Sequence, residues 1–200
     1  IYLSRMEIFM ASPALNVISK GPFQDARAVA RELQPEEAVF CFSVDALKDK
    51  LQTFVSGFPG TVSFAVKSNP SKDVVAVLAE NGLRHWDVAS VHEMALVRGL
   101  SRDAVFHYHN PVKSRAEISE AYHKFGCRRF AVDCREELQK IADITGRDPS
   151  VEIAVRFVLP RERTSSAHDF STKFGAPEHI AIALLQDADG RGFTPMLTFH

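Results

Sequence analysis

Runs of near-continuous apolar residues, each followed by an amphipathic helix, predict an α/β chain built on a parallel sheet covered by helices. The strand–helix units are of near-equal length, and no G-x-G-x-x-G turn opens any of them. Both observations favour a (β/α)8 TIM-type barrel over a doubly wound sheet. The strands read as 62–67, 84–88, 104–108, 128–132, 151–157 and 194–199. A closed barrel needs eight. The chain is therefore expected to hold the amino-terminal part of a barrel, ending after about six strands. It opens on Ile1 and stops within "TPMLTFH", which fits a piece of a longer polypeptide.

Each element has a local reason. Residues 24–34 place Ala28, Val29 and Leu33 on one helical face, and Pro35 closes the run. "AVFCFSV", 38–44, is a β-rich stretch, after which Asp45 is expected to cap the helix "ALKDKLQTFVSGF". From "TVSFAV" onward the alternation is regular. Helices are expected over 71–81, 91–98, 115–125 and 136–145, closed by Gly82, Gly99, Gly126 and Gly146, and another over "EHIAIALLQDA". Residues 1–37 form an N-terminal segment with one helix, and residues 38–200 the partial barrel.

Composition narrows the function classes. A formal net charge of -1 argues against a bulk nucleic-acid binder, and no apolar stretch has the length of a membrane span. "IYLSRMEIFM" is too short and wrongly flanked for a secretory signal. Cys41, Cys127 and Cys134 have no metal-binding spacing and read as buried thiols of a reducing cytoplasm.

In barrels of this kind the reactive groups sit at the carboxyl ends of the strands. Those ends carry Lys67, Asp87, His109 with Asn110, Asp133, Arg156 and His200. A lone lysine at a strand end is ordinarily a solvated side chain, and Asp133 before a helix is ordinarily a cap. Together, however, these groups would ring one mouth. A lysine at the edge of an apolar strand is expected to be desolvated, and a neutral amine so made attacks carbonyls. Pyridoxal-phosphate enzymes and aldolase-type barrels both use such a lysine, and the residues alone favour neither.

Seven stretches then resemble, in order, the fold-type III pyridoxal-phosphate decarboxylases of ornithine, lysine, arginine and diaminopimelate. "FAVKSNP" is similar to the family's cofactor-lysine motif, "HWDVASVHEM" to its Asp-Ala-Ser-Glu signature and "HYHNPVK" to its N-P-x-K stretch. "FAVDCREELQKI", "VEIAVRF", "STKFGA" and the final "FH" resemble its next four. The resemblance implies an alanine racemase-like barrel with pyridoxal 5'-phosphate as cofactor. Lys67 would be the Schiff-base lysine, and Asp87, Glu93 and Arg156 the polar wall of the pocket. His200 would stack on the pyridine ring. Ser90 and Asn69 match pocket positions, Asn69 as the residue that shapes the turn into Pro70. Lys113 also matches, as a surface or cap charge as readily as a pocket one.

The activity so implied is decarboxylation of a basic amino acid, ornithine or lysine, to a diamine of polyamine biosynthesis, in a cytoplasmic homodimer that uses neither nucleic acid nor membrane. "HNPVK" leans toward the ornithine and lysine branch. A diaminopimelate decarboxylase and a catalytically inactive binding regulator are the alternatives. A single-domain pyridoxal-phosphate carrier shares the lysine strand but is not expected to carry the D-V-A-S and N-P-V-K segments. In the family the pyridine-nitrogen partner, the Gly-rich phosphate loop and a C-terminal β-domain follow the segment that begins with "FH". The 200-residue chain alone is accordingly expected to be inactive. Trp86, where the family usually has Phe, and His85 before it depart from the pattern; both are bulky beside Asp87, so the pocket near that strand is expected to differ slightly.

Overall fold

The computed structural model describes residues 6–10, 16–17, 23–159 and 174–199. The chain forms two compact units, Ile1–Val62 with Ala76–Gly82, and Ser63–Val75 with Leu83–His200.

In the first unit β1 (Met6–Met10) pairs antiparallel with β2 (Asn16–Val17) and with β3 (Val39–Ser43), in the order β2-β1-β3. Neither β1 nor β2 was expected from the sequence. Between β2 and β3 lies α1 (Ala26–Leu33). Asp25 caps it by accepting a hydrogen bond from the Ala28 N–H at 2.7 Å, and it ends at Gln34 in a left-handed conformation before Pro35. Ala28 and Val29 bury with Phe23, and Leu33 and Val39 pack against them. The helix α2 (Val44–Gly57) is capped by Ser43, whose hydroxyl accepts from the Ala46 N–H, and not by the expected Asp45. Asp45 instead lies in the first turn, where its charge suits the helix dipole. Cys41 is exposed, contrary to the expected burial. Its strand, β3, is an edge of a small antiparallel sheet and not a covered strand of the parallel one.

The second unit holds a six-stranded parallel sheet. Its strands are β4 (Ser63–Ala65), β5 (His85–Val88), β6 (Val105–Tyr108), β7 (Arg129–Val132), β8 (Glu152–Arg156) and β9 (Thr194–Thr198). Spatial order follows chain order from β4 to β9 without reversal. A doubly wound sheet reverses at a switch point, so this order is that of a barrel wall.

The helices α3 (Lys72–Glu80), α4 (Val91–Leu100), α5 (Arg115–His123), α6 (Arg135–Thr145) and α7 (Glu178–Gly190) alternate with the strands. Ser114 and Glu117 cap α5 reciprocally, and Gly146 ends α6 at φ 63°. Gly99 does not end α4 as expected: the helix continues through it to Leu100.

Alternation along the strands sorts the two faces of the sheet. Trp86, Val88, Phe106, Tyr108, Phe130, Val132, Ile153 and Val155 are buried on one face. On the other, Asp87, His107, Arg129 and Glu152 lie side by side in register across β5 to β8. Arg129 and Glu152 are joined by two hydrogen bonds, and His85 Nδ1 lies 3.0 Å from His107 Nε2. One face is therefore a hydrocarbon core, and the other carries the ionisable side chains together with the buried Ala131 and Ala154.

Candidate functional site

Three of the residues expected at the site converge on one small cavity of about 140 Å³. Lys67, Asp87 and Arg156 line it, together with His109, Ala131, Thr198 and Phe199. All stand at or just beyond the carboxyl ends of β4 to β9, the end where barrels of this class carry their chemistry.

Lys67 reaches the cavity by a route that the apolar run did not show. Strand β4 stops at Ala65, and Val66–Ser68 form a 3₁₀ turn that is closed by a hydrogen bond from the Asn69 N–H to the Val66 carbonyl at 3.1 Å. Only Val66 of that turn is buried; Lys67 is exposed, contrary to the expected desolvation, because the turn lifts it off the sheet. The Asn69 side chain accepts from the Ser71 N–H at 3.2 Å, an Asx turn of the kind expected before the helix.

Asp87 lies 3.6 Å from His109, Oδ1 to Nδ1, with the two side chains 23% and 34% exposed. Burial lowers the pKa of His109 from its ordinary value. Asp87 opposes that shift, and Lys67, Lys113 and Arg156 reinforce it. Burial also lowers the pKa of Arg156, against the raising effect of Asp133 and Asp87.

Behind Arg156 the chain returns to the sheet. Phe157 and Ala176 form a parallel bridge, and the Gly175 N–H donates to the Asp133 carboxylate at 3.0 Å. Gly175 sits at φ 114°, and a Cβ there would meet the Val158 side chain at 3.0 Å, so the close approach requires glycine. The guanidinium of Arg156 lies over the Phe174 ring at 5.6 Å. Asp133 thus anchors this return; the cap position of α6 belongs to Cys134.

The remaining expected residues lie elsewhere or outside the described residues. Ser90 caps α4 by accepting from the Glu93 N–H at 3.3 Å, and Glu93 accepts from the Ala89 N–H at 2.7 Å. Neither is among the residues lining the cavity, and nor is Asn69. His200 lies outside the described residues, as do three residues of the "STKFGA" stretch.

Lys113 is not a surface charge: it is 2% exposed. Its Nζ donates to the carbonyls of Ala131 at 2.6 Å, Asn110 at 2.9 Å and Pro111 at 3.3 Å, and faces Glu137 at 3.4 Å. Burial lowers its pKa to about 8, with Glu137 opposing.

His109 was expected among the strand-end groups but without a role of its own, and it lines the cavity with Ala131, Thr198 and Phe199. The signal was the two-residue spacing of His107 and His109, which places both on the face that carries Asp87.

A lysine amine that lines one cavity with a carboxylate and a guanidinium, at the carboxyl ends of parallel strands, has chemistry suited to an anionic ligand that carries a carbonyl group. The cavity suits the reacting end of such a ligand, since whole small-molecule pockets start at about 300 Å³. Residues 44–191 match the family model described as "Pyridoxal-dependent decarboxylase, pyridoxal binding domain". The chain belongs to that family, and its cofactor is a pyridoxal. Among curated relatives, the lysine/ornithine decarboxylase of Selenomonas ruminantium is 35% identical over 162 residues, covering 79% of this chain and 39% of the relative. Antizyme inhibitor 2 of Xenopus laevis is 31% identical over 160 residues, covering 78% and 33%. The solved structure of lysine decarboxylase from Selenomonas ruminantium superposes with a TM-score of 0.65 at 30% identity, covering 78% and 40%. The chain thus spans 33–39% of the length of these curated relatives.

Proposed function

We propose that this chain is the cofactor-binding part of a pyridoxal-phosphate-dependent decarboxylase acting on a basic amino acid, lysine or ornithine, and yielding a diamine for polyamine synthesis. The convergence of Lys67, Asp87 and Arg156 on one cavity carries the reading. Lys67 offers the primary amine that binds the cofactor's aldehyde. Two cations against one carboxylate leave the lining net positive, which draws an anionic cofactor and the carboxylate of an amino acid. Arg156, held by its aromatic neighbour and by the return of the chain behind it, supplies a positive charge that cannot be lost at working pH. Asp87 balances part of it. When bound, the cofactor supplies an electron sink for the pair left on carbon as CO2 departs. Glu93 and Ser90 serve this reading from the helix cap that orients the end of β5, and His200 is proposed as the ring-stacking residue.

A cytoplasmic homodimer belongs to the same proposal. The three free cysteines support a reducing compartment. Among the described residues no helix is long and apolar enough to cross a membrane.

The relative named as an antizyme inhibitor supports a second reading, a binding regulator without catalysis. One experiment separates the two. The full-length polypeptide is incubated with pyridoxal phosphate; one portion is fixed with borohydride and mapped, and a second, unreduced portion is assayed for CO2 release from lysine, ornithine, arginine and diaminopimelate. Label on Lys67, abolished in Lys67→Ala, with CO2 released from lysine or ornithine, is the expected result. Label without CO2 from any of the four makes the regulator the better account, and CO2 from diaminopimelate alone moves the substrate to that branch. Absence of label overturns the cofactor role of Lys67.

A further inference from the structure

We propose that His109 is a positioning residue of this site, its imidazole holding the Asp87 carboxylate in the cavity that both share with Lys67 and Arg156. The proposal rests on the reading of the site given above and adds to it a group that the motif resemblance did not mark.

The imidazole is fixed from several sides. The backbone N–H of His109 lies 3.1 Å from the carbonyl of Val88 and 3.1 Å from that of His107. Its ring meets the His107 ring edge-on, with centroids 5.5 Å apart, and His107 is itself held by His85. From this position Nδ1 faces Asp87 at 3.6 Å, beyond a hydrogen bond but within reach of an ion pair. Asp87 also feels Arg156, so two groups on different strands compete for one carboxylate.

The charged and titratable groups around the ring come from every neighbouring element. Asp87 faces it from β5, Lys67 from the turn after β4, Arg156 from β8, Lys113 from the segment after β6, and His107 from β6 itself. Burial and the three cations keep the ring neutral near pH 7, and the carboxylate draws it toward protonation. As the pH falls, a proton from solvent binds the ring and the Asp87 contact becomes a true ion pair. The cavity then gains one positive charge.

Two measurements on the intact polypeptide test this. First, the His109 ring is titrated by NMR in the cofactor-free protein and in Asp87→Asn. Removal of the opposing charge is expected to move the His109 midpoint down by about one pH unit; an unmoved midpoint overturns the proposal. Secondly, pyridoxal phosphate binding is followed against pH in His109→Ala and His109→Asn. The alanine variant should bind about tenfold more weakly, the loss expected when the carboxylate is no longer held toward the cofactor. The asparagine variant should recover most of the affinity but not the parent's dependence on pH. Binding and pH dependence equal to the parent in His109→Ala overturn the positioning role. If the parent never binds the cofactor, the functional reading fails, and the NMR midpoint still decides whether His109 and Asp87 act as a pair.

Discussion

Lys113 carries a full charge into the interior, where three carbonyl oxygens and the Glu137 carboxylate receive it. Removal of one partner from a buried pair commonly costs about 3–5 kcal/mol. Here Lys140 also contacts Glu137 and donates to the Lys113 carbonyl, so the lower end applies. Lys113→Met should therefore lower stability by about 3 kcal/mol, a fall in Tm of roughly 6–12 °C for a chain of this size. A melt that moves by less than 2 °C, roughly the effect of 1 kcal/mol or less, would show the charge to be dispensable. The position was visible in "HNPVK"; the burial was not. It depends on Ala131, which the chain brings alongside only when β7 pairs with β6. Lys67 makes the same point in reverse: the apolar run through Val66 suggested a buried lysine, and one 3₁₀ turn exposes it.

At the scale of elements, β6 carries His107 on the polar face of the sheet, and burial followed by the charges of His109, Arg129 and His85 lowers its pKa to about 3. The unfolded chain takes up this proton near 6.5, whereas the folded chain resists until about 3. Between those values the unfolded state binds more protons, so stability falls as the pH falls through the window. His107→Leu should remove that part of the acid sensitivity. Urea midpoints at pH 7 and 4.5 should differ less in the variant than in the parent; equal differences would place the acid sensitivity elsewhere. Elements were the most legible level of this sequence, because apolar period and stop signals are local: Gly146 ended α6 and Pro35 followed the end of α1 as their chemistry dictates. The errors arose where a partner decided the outcome. Cys41 is exposed because β3 pairs with β1 at a sheet edge, and Gly99 stays within α4 because no positive φ is demanded of it. The spacing of His107 and His109 showed their common face, but the approach of His109 to Asp87 comes from sheet register, which no single segment records.

Over the whole parallel sheet, burial is greatest in the middle and least at the margins. The residues of β7 and β8 are almost all buried, whereas those of β9 are mostly exposed. Native-state hydrogen exchange should therefore be slowest for amides of β7 and β8 and fastest for those of β4 and β9; uniform rates across the sheet would contradict this gradient. The order of strands was legible from the alternation of strand and helix. The two-sided character of the sheet, oily toward the helices and ionic on the other side, was legible only in hindsight, since His85, Asp87 and His107 stand at alternate positions. That ionic side also bears on the solvent. A polar-walled space of about 140 Å³ has room for roughly five water molecules at their bulk volume. Any occupant must displace the water that such a space would hold and replace the hydrogen bonds that an amine, a carboxylate, an imidazole and a guanidinium can make to it. A ligand that returns those hydrogen bonds enters at little expense, whereas a greasy molecule of the same outline leaves four groups dry and is turned away. Dehydration, as much as shape, is therefore expected to select the guest.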